Sequence, residues 1–534
     1  MAIKRYTASA DTTIVNAFQP NLVTRGTGAN MGYADVMEVF SVYGRQATSS
    51  QELSRMLVEF PITSIANDRT AGTIPASGSV TFYMRLYNAP HAKTIPQEFS
   101  LNILPVAQTW QEGVGLDMET YKDLTKGNPG ANWMSASNLS PWTGSTYTTN
   151  DCVGGSYRTG SLDPQFKVDL STGIEDLKVD VTPLVEHWIA GTISNYGVGV
   201  HLSSSYEASA SVSANELTAA VLPLTGGAQK SYYTKRFFAR GTQYFFKKPA
   251  IEAIWDSMVK DDRGDFYYSS SLAPAGDNMN TIYFYNYIRG ELTNIPDLGD
   301  DNRVYVSMFS GNAANNAPSG AALILAQDNS GFVAANAPTV VTGGLVSTGI
   351  YSASFAITAA STPVTTLYDV WFTGSHATAA TSSATQYLTG TVVPQVVKPT
   401  QTVSKPVYYL NITNLKGRYR ADESARFNLY VRNKNWDPTI YTVASTTPES
   451  TTIASASYRV YRVFDGYDAL PYDTGSDLAT SLSYDVSGNY FDFDMDLLEP
   501  GYEYAFKFAF YDSALSSWTE QPEVFKFRVE SYEY

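Results

Sequence analysis

Apolar and polar residues alternate with a period of two along much of this chain. Ser79–Tyr87 reads Ser-Val-Thr-Phe-Tyr-Met-Arg-Leu-Tyr, and Phe491–Asp496 reads Phe-Asp-Phe-Asp-Met-Asp. Each predicts a strand with one buried face and one wet face. The same alternation predicts strands at Phe427–Arg432, Tyr458–Val463 and Tyr502–Phe508. Ala313–Gly390 is rich in Ala, Thr, Ser and Gly, yet Ala322–Ala326, Gly349–Phe355 and Leu367–Phe372 carry the signal of buried strands. The clear helical pattern is Val179–Gly191. Thr182 is placed to cap it, Pro183 suits its first turn, and Gly191 closes it, while Leu184, Val185, Trp188 and Ile189 share an apolar face. A buried strand, Asn195–Val200, follows directly. The pattern predicts an all-β protein with one short helix packed on a sandwich.

At 534 residues the chain suggests roughly three or four units. A first boundary falls in Tyr244–Pro249, with a fresh strand starting at Ala250, so the first domain covers 1–248. Residues 249–397 read as one or two immunoglobulin-like β-sandwiches. The prolines of Val393–Pro406 make a semi-rigid spacer, with the linker at 398–406. A C-terminal immunoglobulin-like sandwich occupies 407–534.

The first 248 residues carry an ordered set of short motifs: Ala8–Ala17, Thr24–Gly32, Arg55–Ile62, Thr109–Gly113, Gly130–Met134, then the helix and the Asn-Tyr-Gly strand. Their order resembles the DNRLRE-type domain, a carbohydrate-binding-module-like jelly roll. The name-giving hexapeptide is absent, and Arg55–Pro61 occupies the corresponding strand. The whole chain, including Lys248–Trp255, further resembles virion structural proteins of marine tailed phages. This resemblance implies a non-enzymatic part of the neck or collar, tail, baseplate or fibre base. Such a part binds other virion proteins, forms a homo-oligomer in a symmetric assembly, and uses no cofactor. The alternative is a receptor-recognition protein that holds host surface polysaccharide through the first domain. A polysaccharide depolymerase, or an accessory to one, ranks third.

Composition narrows the field. Hydrophobic residues make up 43% of the chain and charged ones 16%, enough apolar material for several cores. A net charge of −15 without a basic stripe argues against a nucleic-acid partner, which needs clustered cations. Lys235-Arg236, Arg240 and Lys247-Lys248 read as solvated strand faces. The single cysteine, Cys152, excludes an internal disulfide and reads as a buried structural thiol. The opening residues carry no signal-peptide pattern, and no window approaches the roughly 20 apolar residues that span a bilayer. The expectation is a protein made in the host cytoplasm and carried in the virion, without membrane insertion.

Candidate chemistry is sparse. His91, His187, His201 and His376 stand at no metal-ligand spacing, and His187 reads as a partly buried, hydrogen-bonded residue. Loop carboxylates Asp261, Asp262 and Asp265, and also Asp300 and Asp301, can supply oxygen ligands to Ca²⁺, although neither loop matches the EF-hand pattern and a solvated turn is the simpler reading. Arg263-Gly264-Asp265 is read as a turn. Asp492, Asp494 and Asp496 share a strand face and read as a charged outer surface rather than a glycosidase pair. Five aromatic residues crowd one stretch: Trp110, Tyr121, Trp133, Trp142 and Tyr147. Trp110 and Trp133 read as core anchors. Trp142 and Tyr147, in a Ser/Thr/Gly loop, are expected to be exposed and, with Tyr121, to contact a carbohydrate or another subunit.

Overall fold

The computed structural model describes residues 2–17, 30–43, 51–90, 96–116, 130–133, 135–137, 140–142, 154–207, 209–210, 224–225, 231–270, 274–298, 302–327, 338–358, 364–373, 385–395, 407–434, 450–513 and 515–531. Antiparallel strands dominate, and two α-helices occur among the described residues. No helix there is long and apolar enough to cross a membrane. The chain divides into two compact units. The first is Met1–Asp256 with Gly475–Ala479 and Asp496–Glu499; the second is Ser257–Thr474, Thr480–Met495 and Pro500–Tyr534.

In the first unit, one sheet orders its strands Ile3–Thr7, Ala250–Ile254, Thr81–Leu86, Leu177–Asp180. The other runs Tyr232–Phe238, Val36–Tyr43, Gln51–Glu59, Val198–Leu202, Phe99–Pro105, Phe166–Leu170, and Ala10–Val15 also pairs with Gln51–Glu59. Alternation puts Phe82, Met84 and Leu86 of the smaller sheet in one core with Met56, Val58, Leu101, Ile103, Val198 and Val200 of the larger one. The strand at Ala250 is real but belongs here. It inserts between Ile3–Thr7 and Thr81–Leu86, which carries the unit past Lys248 to Asp256.

The expected helix spans Thr182–Ile189 and buries Leu184, Val185 and Trp188. Its capping differs from the expectation. The Thr182 hydroxyl accepts from Phe82 N at 2.8 Å, tying the helix to a strand, and Asp180 takes the Thr182 N–H at 2.9 Å. A second helix, Ile62–Thr70, meets it through a bidentate Arg69–Glu186 pair at 2.6 and 2.7 Å. Gly197, at φ +74°, starts the strand Val198–Leu202 under a close approach: a Cβ there would lie 2.1 Å from Val58 O.

The second unit begins with one connected sheet in the order Asn280–Tyr285, Ile350–Phe355, Val341–Ser347, Val304–Gly311, Leu367–Thr373, Thr385–Val392, with Pro318–Ser319 added to Val304–Gly311. Phe266, Ile282, Met308, Tyr351, Phe355 and Trp371 share its core. The described part of 249–397 that lies in this unit therefore has one large sheet, a two-stranded hairpin of Tyr287–Ile288 and Glu291–Leu292, and a single main core. Ala322–Ala326 is not a strand. Leu323 N bonds Met308 O, Leu325 N bonds Pro338 O and Ala326 N bonds Ala356 O, so its partners scatter instead of forming a ladder.

The C-terminal region is a two-sheet sandwich. Four strands run Tyr408–Ile412, Ser424–Asn433, Gly488–Asp494, Ser483–Asp485, and six comprise Arg418–Arg420, Phe525–Glu530, Glu503–Asp512, Ala456–Arg462, Asp468–Leu470 and Ser517–Glu520. Aromatic rings fill the space between them: Tyr458 and Phe491 have centroids 4.4 Å apart, and Phe506 and Phe527 4.6 Å. The linker expected at 398–406 lies outside the described residues.

Candidate functional site

Of the three residues singled out for carbohydrate or subunit contact, Trp142 alone lies among the described residues. Along Gln51–Glu59, Met56 and Val58 point to the main core, while Leu53 and Leu57 point to the opposite face of the sheet. There a second core gathers Ile14, Val106, Trp110, Trp133 and Trp142. Trp110 and Trp133 are core residues, as expected. Trp142 corrects the expectation of exposure: it is 5% exposed, and its indole N–H donates to Asn132 O at 2.8 Å. The covering segment turns back over the sheet and offers a buried carbonyl, which a Ser/Thr/Gly-rich local context does not announce. Trp110 likewise donates to Tyr196 O at 2.9 Å. Arg55 closes this core from beside it, bound to Glu207 at 2.6 Å and Gly154 O at 2.8 Å, with its guanidinium over the rings of Trp133 and Tyr157. Tyr121, Tyr147, Cys152, Asp300 and Asp301 lie outside the described residues.

Of the basic residues expected on solvated faces, Lys235 is buried, whereas the Arg236 and Arg240 side chains stay part-exposed and pair with carboxylates. Lys235 is 2% exposed. Arg236 reaches Glu38 at 2.5 Å. Arg240 makes a bidentate pair with Glu112 at 2.8 Å, while its backbone N–H donates to buried Asp11 at 2.5 Å. Burial pushes the Asp11 carboxyl up to about 7 against the pull of Arg240. His187 is half-buried, with Nδ1 2.7 Å from the Thr192 hydroxyl. Burial holds the other described histidine of this region, His201, below its ordinary value, with Glu207 opposing.

A concave site lies in the second unit. A cleft of about 430 Å³ is lined by Asp261, Arg263, Tyr283, Tyr285, Leu388, Gly390, Thr391, Asp485, Val486 and Ser487. Its floor is a buried ion pair. Arg263 reaches Asp369 with two contacts of 2.6 and 2.8 Å, and Asp369, fully buried, also accepts from the Trp371 indole at 2.7 Å. Gly390 leaves the room for this: a Cβ there would meet Arg263 Nη1 at 2.5 Å and Asp369 Oδ1 at 2.6 Å.

The expected turn at Arg263-Gly264-Asp265 is a single 3₁₀ turn, Asp262–Gly264, with the Arg263 side chain only 14% exposed. The Ca²⁺ candidates there have protein donors instead. Asp261 accepts the Arg263 N–H at 3.1 Å, and Asp262 accepts from Thr281 N and from the Tyr484 hydroxyl at 2.7 and 2.8 Å. Burial pushes Asp261 up to about 6. Among the described residues, no three His, Cys, Asp or Glu side chains converge as metal ligands. Asp485 accepts both the N–H and the hydroxyl of Ser487, and no histidine or cysteine lines the cleft. Its chemistry is that of a polar, tyrosine-walled recess rather than a nucleophile with its base. On the neighbouring strand, Asp492 pairs with Arg426 and Asp494 with Ser424, while Asp496 lies in the following 3₁₀ turn.

The sequence leaves Asp369 unremarked and places Lys235 on a solvated face, whereas both are buried. The signal was present in both cases: a charged residue inside an apolar or aromatic strand pattern, Asp369 in Leu-Tyr-Asp-Val-Trp-Phe and Lys235, beside Arg236, in Tyr-Tyr-Thr-Lys-Arg-Phe-Phe. Such a residue needs a buried partner, and its identity comes from a distant segment.

No family model matches the chain, and no curated protein matches it. Among solved structures, it is similar to trypsin-activated alpha-2-macroglobulin from Escherichia coli, at 11% identity and a TM-score of 0.14, covering 69% of this chain and 26% of that one. The native conformation of the same Escherichia coli protein aligns at 10% identity and a TM-score of 0.14, covering 98% and 34%. The chain thus spans about a quarter to a third of the proteins it aligns with.

Proposed function

We propose that this chain is a non-enzymatic structural protein of a tailed-phage virion, built from β-sandwich units and binding neighbouring subunits in a symmetric assembly. The observation that carries this reading over sugar capture by the first domain is the burial of Trp110, Trp133 and Trp142. Glycan recognition stacks sugar rings on exposed aromatic faces, and these three face a protein core with two of their indole N–H groups bonded to backbone carbonyls. The net charge of −15 and the engagement of Arg236 and Arg240 by carboxylates also favour protein neighbours over nucleic acid.

The test is cryo-electron microscopy of purified particles carrying the protein, with a glycan array probed by the full chain. Density for the first domain clamped between other subunits, with no array signal, is expected. A first domain projecting freely, with polysaccharide binding that is lost on cutting back its surface aromatic residues, would overturn the reading in favour of receptor recognition.

A further inference from the structure

Lys235 is buried on the edge strand Tyr232–Phe238, and its three ammonium donors all go to oxygens: Asn88 Oδ1 at 2.7 Å, Gly173 O at 3.0 Å and Glu175 O at 2.6 Å. Its Nζ also sits 4.9 Å from the Phe237 ring centroid. None of those three acceptors is a carboxylate. A buried ammonium held by neutral oxygens and an aromatic face loses the solvation that favours its charge. Burial accordingly lowers Lys235 to about 8, with Glu175 and Asp176 the carboxylates near enough to oppose it. An amine at that value is neutral, and so nucleophilic, in roughly a tenth of molecules at pH 7.

The group placed against it is a carboxamide, whose carbon is an electrophile. Asn88 is held firmly. Its backbone N–H donates to Asp176 Oδ1 at 2.7 Å, it bridges to Phe237, and the flanking Ala89 N and Phe238 N bond Arg236 O and Tyr87 O. Strand Tyr232–Phe238 and the segment after Thr81–Leu86 are therefore registered on both sides of the Lys–Asn contact, which holds Nζ 2.7 Å from the carboxamide oxygen, next to the carbon it would attack. Glu175 contributes a second carboxylate: burial opposes its charge, yet the Ser171 and Thr172 N–H groups that Oε1 takes hold the group down to about 2, so it accepts a proton only transiently, while Oε2 is buried and meets no hydrogen-bond donor among the described residues.

We propose that Lys235 and Asn88 form an intramolecular isopeptide cross-link. Lys235 Nζ, after giving one proton to a neighbouring carboxylate, attacks Cγ of Asn88. The Nζ–Cγ bond forms, the Cγ–Nδ2 bond breaks, and Nδ2 leaves as ammonia with a second proton from Nζ. The carboxylate then returns its proton to the ammonia, so an ammonium and a carboxamide become a secondary amide and an ammonium ion. No oxidant is required. That matters in a chain with one cysteine, which has no internal disulfide available to it. The link closes a loop between positions 147 residues apart and joins the edge of the larger sheet to the end of a strand of the smaller one.

Intact-mass spectrometry of the full chain tests this directly. The expected mass is below that of the sequence by about 17 Da, one ammonia. A tryptic digest should contain a branched peptide joining Leu86–Lys93 to Ser231–Arg236, because an acylated Lys235 resists cleavage. Lys235→Arg should restore the full mass. An unshifted mass with separate linear peptides overturns the proposal. So does an ammonia loss without the branched peptide, which would be succinimide formation elsewhere.

Discussion

Replacing Arg263 with methionine isolates the buried pair beneath the cleft. Asp369 has no solvent exposure and Arg263 is 14% exposed, with two N···O contacts of 2.6 and 2.8 Å. The variant leaves a carboxylate in the interior with the Trp371 indole as its remaining side-chain donor among the described residues. Breaking a buried pair on one side costs about 3–5 kcal/mol, since the abandoned charge keeps its desolvation penalty. The Trp371 bond places the expectation at the lower end, about 3 kcal/mol. At about 2–4 °C per kcal/mol for a unit of this size, the loss is roughly 6–12 °C. Differential scanning calorimetry on the full chain reads this as a downward shift of one transition, the other staying in place. The double variant Arg263→Met/Asp369→Leu removes both charges and should recover more than half of the loss. If Arg263→Met costs under about 1 kcal/mol, or the double variant is no better than the single, the pair is not the buried, uncompensated-charge system described above.

Three further outcomes follow from the same geometry. Asp261 has a folded value of about 6 against its ordinary 3.8, so the folded state binds more protons between those values and stability falls as pH rises through about 4 to 6, by about 3 kcal/mol in all. Asp261→Asn should therefore match the wild type near pH 4 and exceed it at pH 8 in chemical denaturation, and a variant equally stable at both pH values refutes the shift. Gly390→Ala drives a methyl into the Arg263–Asp369 contact and should cost about 1–3 kcal/mol by the same calorimetry; an unchanged transition would show that strand to be farther away. Trp142→Ala should cost the first unit about 3–5 kcal/mol, as expected for an emptied core site, and a loss within about 0.5 kcal/mol would return Trp142 to the surface.

What could be read from the sequence was the local part of the fold. Thr81–Leu86 alternates because neighbouring side chains face opposite sides of a sheet, and Leu184, Val185 and Trp188 share a face because of the helical repeat; both periods are written in consecutive residues. The allegiance of Ala250–Ile254 was not local. That strand is flanked by Ile3–Thr7 and Thr81–Leu86, from far earlier in the chain, and no property of the segment itself names those partners. Trp142 shows the same limit, because a tryptophan in a polar loop is exposed or buried according to what the loop folds onto. Lys235 and Arg263 are surface residues by composition and interior ones by topology, each needing an oxygen supplied from more than sixty residues away.

The pairing of Ile3 with Ile254 also decides how the first unit responds to load. Ile3–Thr7 and Ala250–Ile254, its first and last strands in sequence, are antiparallel neighbours with Ile3 beside Ile254, so tension applied before Ile3 and after Ile254 acts on one hydrogen-bonded pair at a time, from Ile3–Ile254 toward Thr7–Ala250. Such a junction opens like a zipper at low force, whereas strands pulled along their length must break all their bonds together. The first unit is therefore built to yield progressively at that seam while its larger sheet stays intact.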